Sequence, residues 1–323
     1  HRLQEGEEFL SSTDTWFRPS NTYIGPDGAL YLIDYHRRII EHPEWMSDEV
    51  NESGQLYEGT DKGRIYRITS KGAAPPQWLD QLGLSSQMAL EWVPFLNDKN
   101  SWWRSTAQRL LVAEEGTGKE VAAAIEQVAK SAEGQAGRVH ALWTLDGIGK
   151  MDKSLLEQAL HDPISGVREN AIQLMEKRLE EEPALANLLF QIKDDPDPRV
   201  RFQLLCTLGF VESAEAQSIR EQLLLQDLES EWTHLAALSA SPGQELALFE
   251  WAIETLSNKM DQGGGPFIKN LSALIGRKAN DQELNSLLQQ IGTLSTALKS
   301  VALQGLAMGV SSDRKGISTA NRK

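Results

Sequence analysis

One cysteine, no long apolar run and a shortage of positive charge each remove a class of function. Cys206 stands alone in 323 residues. A disulfide framework, a cysteine-rich zinc site and a Cys-x-x-Cys-His haem attachment are therefore excluded within the chain. Its setting, Leu204-Leu205-Cys206-Thr207-Leu208, puts it on an apolar helix face, a packing position rather than a reactive thiol. No run approaches the ~20 apolar residues of a bilayer span, and the N-terminus has neither a basic start nor an apolar signal core, so direct membrane insertion is not expected. The formal net charge is −14, and residues 1–70 carry 7 basic against 13 acidic side chains. Binding to phosphate backbones relies on basic patches that release counter-ions, so no nucleic-acid partner is expected. Six histidines are scattered, at His1, His36, His42, His140, His161 and His234, with none at the i, i+4 spacing that sets two imidazoles on one helix face. No Gly-x-Ser-x-Gly elbow occurs, and no carboxylate pair takes acid/base roles from spacing alone.

What is present comes in two kinds. In the first 70 residues the turn Gly25-Pro26-Asp27-Gly28 separates Asn21-Thr22-Tyr23-Ile24 from Ala29-Leu30-Tyr31-Leu32-Ile33-Asp34-Tyr35, and Gly63 to Thr69 makes a further strand. This reads as the closing blade of a β-propeller with too few strands to close one. From Ser85 onward apolar residues recur at three- and four-residue spacing, interrupted by Gly, Pro or Asp.

The interruptions are periodic. Asp98 precedes Arg104 by six residues, Asp162 precedes Arg168 and Asp195 precedes Arg201; Arg104, Arg138, Arg168 and Arg201 are spaced 34, 30 and 33 apart. That is the grammar of HEAT repeats. Asp-Pro stops one helix and caps the next, Val enters the shared core a turn later, and Arg reaches a carboxylate of its own or the neighbouring repeat. About seven helix pairs are expected, beginning near Met88, Val121, Leu155, Leu185, Ala216, Leu246 and Leu284, with Gly263-Gly264-Gly265-Pro266 between the helices of the sixth. A helix pair alone cannot bury its apolar stripe, so stability comes from stacking. The expected layout is an incomplete C-terminal propeller blade at 1–70, a linker at 71–84, a mostly α HEAT/armadillo-like solenoid at 85–310 and a frayed tail at 311–323.

The ligand-binding candidates are Asp34, Tyr35, His36, Arg37 and Arg38, an acid, a phenol, an imidazole and two guanidinium groups just past a buried strand, where propeller residues face the central channel. The competing reading is a structural ion pair between Asp34 and an arginine across neighbouring blades. Glu115-Gly116-Thr117-Gly118-Lys119-Glu120 lacks the first Gly and the final Ser/Thr of a nucleotide loop and reads as a helix-joining turn. His140 reads as a satisfied, partly buried residue, and Trp102, Trp103, Trp143, Trp232 and Trp251 as packing, with a peptide-binding stripe as the alternative.

Four segments carry a resemblance: Phe17-Arg18-Pro19, Gly25 to Tyr31, Ile39-Ile40-Glu41-His42-Pro43 and Gly63-Arg64-Ile65-Tyr66-Arg67. They resemble the end of the propeller in planctomycete and verrucomicrobial membrane-bound dehydrogenase-like proteins. Asn100 to Leu111 and His140 to Gly147 are similar to the first HEAT segments of the same proteins. The resemblance implies a sorbosone- or glucose-dehydrogenase-like propeller, then HEAT repeats, then a c-type cytochrome domain, in an exported protein of the periplasm or cell envelope. A quinone cofactor, calcium and haem c would belong to regions missing from this sequence, with no cofactor expected in the segment itself. Beginning at His1, the chain reads as a processed product or fragment. The expectation is a non-catalytic C-terminal portion of a sugar- or alcohol-oxidising protein, partnered by the missing domains or another protein. The alternatives are a stand-alone HEAT scaffold for a protein partner and, against the charge, a HEAT-like DNA-repair enzyme.

Overall fold

A computed structural model describes residues 6–72, 88–114 and 118–313, and the chain forms two compact units, His1–Gly149 and Lys150–Lys323. The fold is mostly helical, with one small antiparallel sheet near the N-terminus.

In the first unit, β1 (Pro19–Ile24), β2 (Leu30–Asp34) and β3 (Arg64–Ile68) form a sheet in the order β1-β2-β3. The β1–β2 turn closes as expected: the Gly28 amide donates to the Gly25 carbonyl at 3.0 Å, with Gly28 at a φ of 77° that suits glycine. Register then decides which side chains share a face. Leu32 lies between Thr22 and Tyr66, and Ile33 between Asn21 and Ile65. Successive side chains point to opposite faces, so Leu32 and Asp34 are buried while Ile33 and Ile65 are exposed. Among the described residues both β1 and β3 are edge strands. The connection from β2 to β3 holds a short helix, α1 (Asp48–Glu52), whose first turn is capped by the Ser47 hydroxyl.

The rest of this unit is helical: α2 (Ala89–Trp92), α3 (Ser101–Ala113), α4 (Lys119–Ser131) and α5 (Gln135–Gly147). The turn of the hairpin is fastened to α3. Asn100, which caps α3, donates through its side-chain amide to the Gly25 and Pro26 carbonyls at 2.9 and 3.1 Å, and the Trp103 indole N–H donates to Pro26 at 3.0 Å. Trp103 is therefore more than packing: its ring is buried, stacked on Phe95, and its polar edge joins sheet to helices.

In the second unit ten helices form five pairs among the described residues: α6 (Lys153–Leu160) with α7 (Ser165–Glu176), α8 (Ala186–Phe190) with α9 (Pro198–Thr207), α10 (Ala214–Gln226) with α11 (Glu231–Ser239), α12 (Glu245–Thr255) with α13 (Gly264–Lys278), and α14 (Asp281–Thr293) with α15 (Thr296–Asp313). Second helices of successive pairs pack on one another, α7 on α9, α9 on α11 and α13 on α15, as expected of stacked repeats. Caps set the starts. Ser213 and Ser230 accept from the N3 amides of α10 and α11, Asp197 caps α9 ahead of Pro198, and Asn280 and Glu283 form a capping box on α14. Val200, Leu204, Leu205 and Leu208 are fully buried, each such side chain worth about 1.5–3 kcal/mol.

Two local expectations shift. The glycine run of the sixth pair does not separate its helices: Gly263 is the N-cap of α13, and Gly264, Gly265 and Pro266 form its first turn, where glycine and proline are tolerated because those amides lack helical partners. The last three pairs carry no Asp-Pro, and the last of them uses a different device. A side chain at Gly305 or Gly309 would run into the backbone of α13 at Lys269 or Ala273, so glycine is what lets α15 lie close against α13. The expected linker beyond residue 72 falls outside the described residues until Met88, as does the expected tail beyond Asp313. No described helix is long and apolar enough to cross a membrane.

Candidate functional site

Asp34 ends β2 and is buried, and three protein donors hold its carboxylate. Oδ1 accepts from the Arg18 and His36 amides at 2.8 and 2.9 Å, and Oδ2 accepts from Arg64 Nε at 3.0 Å. Burial pushes the carboxyl up, but the two amides and the Arg64 guanidinium outweigh it and hold the group below the usual carboxylate range. Asp34 is thus a fixed anion at neutral pH, without a proton to give. Arg64 reaches further, donating to Asp14 at 2.6 Å and to His36 Nδ1. Asp14 is also held low, chiefly by the Arg64 hydrogen bond and then by the Trp16 amide. His36 therefore accepts at Nδ1, with its backbone in the left-handed region at a φ of 50°, and its ring lies 5.4 Å from that of Trp16.

The other candidates part company with this pair. Arg37 stitches the loop after β2 to the segment before β3, donating to the Gly59 carbonyl and to that of Lys62 at 3.0 Å, with its guanidinium 4.4 Å over the Tyr35 ring. Arg38 pairs with Glu58 at 3.2 Å on the surface. Tyr35 and Arg37 border an open groove of about 480 Å³ shared with Ile40, His42, Trp45 and Tyr57. Asp34 and His36 are brought together, but with Arg64 and Asp14, neither of which was among the expected ligand-binding residues. The Asp34 partner is an arginine on the adjacent strand of the same sheet.

The helix pairs carry a second constellation. Each ladder arginine reaches back six residues to a backbone carbonyl: Arg104 to Asp98 at 2.8 Å, Arg138 to Ala132 at 2.7 Å, Arg168 to Asp162 at 2.8 Å and Arg201 to Asp195 at 2.7 Å. The contact within a repeat is thus to main chain. The aspartate side chain closes an Asx turn instead, with Asp98, Asp162 and Asp195 accepting from the amides of Asn100, Ile164 and Asp197. The contact between repeats is ionic. Arg168 forks onto Asp195 at 2.6 and 2.8 Å, and Arg201 forks onto Asp227 at 2.7 and 2.6 Å, the geometry that makes arginine–carboxylate pairs strong. Asp195 serves both neighbours, its carboxylate holding Arg168 and its carbonyl Arg201.

Two members were missed. Asp227 has neither a proline after it nor an arginine six residues on, where Thr233 stands, and so lacked the signature. His234 stands 33 residues after Arg201, and its Nε2 donates to the carbonyl six residues back, Leu228, at 2.6 Å. Its Nδ1 is buried without a partner, and its ring meets Phe267 edge-on at 5.3 Å. Burial pushes this imidazole down, against the Leu228 carbonyl and Glu231. The period alone could have found it.

The remaining readings resolve locally. His140 is half-buried on α5 and bonded to Gln108 at 2.7 Å, and its imidazole is lowered by burial and then by Arg104. Cys206 is half-buried, and burial followed by Glu176 pushes its thiol up, which disfavours the reactive thiolate. Trp232 departs from the packing assignment: it is 71% exposed, on α11 beside exposed Leu235. Residues 115–117 of the glycine-rich turn lie outside the described residues. Among the described residues no three His, Cys, Asp or Glu side chains are grouped to hold a metal ion.

Residues 1–72 match a family described as a domain of unknown function, DUF7133. No curated protein matches the chain.

Proposed function

We propose that this chain is the non-catalytic C-terminal portion of a dehydrogenase-like protein of the cell envelope. Its sheet would be the last part of a propeller, and its helix pairs a spacer and interaction module. One observation carries the reading: the three-stranded sheet exposes apolar side chains on one face, with Tyr23 56%, Ile33 37% and Ile65 71% exposed, between two edge strands. Exposed strand edges beside apolar side chains are a surface that proteins normally cover. The fastening of Asn100 and Trp103 to the hairpin turn supports a fixed handover from sheet to helices. In this reading sugar or alcohol oxidation, with its quinone cofactor, calcium and haem c, belongs to other parts of the polypeptide. The partners are those domains or another protein, and the site is periplasmic.

The test compares this chain with the longer polypeptide encoded by its gene. Amides of β1 and β3 should exchange slowly only in the longer form, and dye-linked oxidation of aldoses should appear only there. Equal exchange in both forms, or a gene encoding no further β-structure, would overturn the reading. The second reading, a stand-alone scaffold, is favoured by the exposed Phe210, Trp232 and Leu235 of the second unit. It requires that Trp232→Ala abolish capture of a protein partner by the chain alone.

A further inference from the structure

Two arginines are buried among the described residues, Arg201 at 9% exposure and Arg220 at 7%. Arg201 has Asp227. Arg220, on α10, has no ion pair: it donates from Nη1 to the Leu208 carbonyl at 2.8 Å and from Nη2 to Gln244 Oε1 at 3.1 Å, both neutral acceptors. A guanidinium carries five donors, and these two bonds leave the others free to meet a ligand and the charge without a direct ion pair. Burial holds the group below the usual arginine range, with Glu221 pulling the other way.

The same guanidinium lines a cavity of about 250 Å³ between α10, α11 and α12. Ser241, only 6% exposed, lines it too, and its hydroxyl makes no hydrogen bond to the protein. Leu224, one turn on from Arg220 along α10, and Ala247 and Leu248 of α12 give the cavity its apolar lining. Glu221 also lines the cavity, with its carboxylate engaged by Gln217 at 3.0 Å.

We propose that this cavity binds a small monocarboxylate, with the carboxylate on Arg220 and Ser241 and a short aliphatic tail against Leu224, Ala247 and Leu248. A planar fork matches a carboxylate. The volume lies just below the usual range for drug-sized ligands, which limits the tail to a few carbons. Glu221 at the wall and the net charge of −14 disfavour multiply charged anions such as phosphate.

Calorimetric titration of the full chain with butyrate, butyramide and inorganic phosphate at fixed ionic strength tests this. Butyrate should bind saturably at one site and raise the melting temperature. Butyramide and phosphate should bind at least tenfold more weakly. Ala247→Trp, at an exposed position of the rim, should weaken butyrate at least tenfold without touching the guanidinium, and Arg220→Met should do the same. If Arg220→Met fails to fold, because it also frees the Leu208 carbonyl, Ala247→Trp and Ser241→Ala decide. No saturable binding up to about 20 mM butyrate, well above a dissociation constant of about 1 mM, would overturn the proposal. So would unchanged binding in Ala247→Trp, or butyramide or phosphate binding as tightly as butyrate.

Discussion

The sheet of the first unit and the helix pairs of the second both rest on arginine–aspartate pairs, but they use them differently. In the sheet, Arg64 gathers Asp34, Asp14 and His36 from positions up to 50 residues apart into a single knot. In the helix pairs, Arg168 and Arg201 each make the same two contacts, one back to their own turn and one onto the next pair. A knot fixes one place; a repeated contact fixes a direction of growth. The apolar residues differ in the same way. The pairs bury Leu204, Leu208, Phe249 and Phe267 completely, whereas the sheet leaves Ile65 at 71% exposure. The pairs cover one another, while among the described residues the sheet leaves Tyr23, Ile33 and Ile65 exposed.

The widest gap between the regions should appear on truncating apolar side chains. Phe249→Ala should cost about 3–5 kcal/mol in chemical denaturation, through lost burial and the cavity left behind. Ile65→Ala should change stability by less than about 0.5 kcal/mol. Equal costs would erase the distinction. A smaller effect belongs to the ladder: Arg201→Ala should cost about 1–3 kcal/mol, because it leaves a largely buried Asp227 without its fork and the Asp195 carbonyl without its donor.

Acid should sharpen the comparison further by separating the regions in pH. His140 and His234 are held below their ordinary value of 6.5, chiefly by burial, so the unfolded chain takes up their protons first. Stability that these helices hold above about pH 6.5 is therefore lost as the pH falls below it, down to the folded values. Asp34 is held below its ordinary 3.8, so its contribution is full above that value and is lost only as the pH falls through the lower folded one. Hydrogen exchange followed from pH 7.5 to 3 should show α5 and α11 weakening before β2, and His234→Phe should remove most of the α11 response. Loosening of β2 ahead of α11 would reverse the assignment.

What could be read in advance follows the same divide. The starts of all seven helix pairs were legible because each repeat must restart its chain with the same chemistry, a turn former and then an apolar stripe. The helices open at Ala89, Lys119, Lys153, Ala186, Ala214, Glu245 and Asp281, close to the expected positions. The three strands were legible from alternation around a glycine turn. The partners of Arg168 and Arg201 were legible only as a class, because the spacing says that a guanidinium is present and not which oxygen it meets. His234 escaped because it keeps the position while changing the residue, and Arg64 escaped because nothing periodic links residue 64 to residues 14, 34 and 36. The role of Trp103 divides in two: its burial was written in the helical spacing, while its hydrogen bond to Pro26 depends on a turn 77 residues away.

The claim that the helix pairs are tied to one another by a repeating guanidinium–carboxylate contact is tested most directly by a double-mutant cycle on Arg201 and Asp227, measured by denaturant unfolding of the full chain. A coupling of about 1–3 kcal/mol is predicted for the doubly hydrogen-bonded, largely buried pair. Additivity of the two single substitutions to within about 0.5 kcal/mol would contradict it and leave the ladder a bystander to the packing.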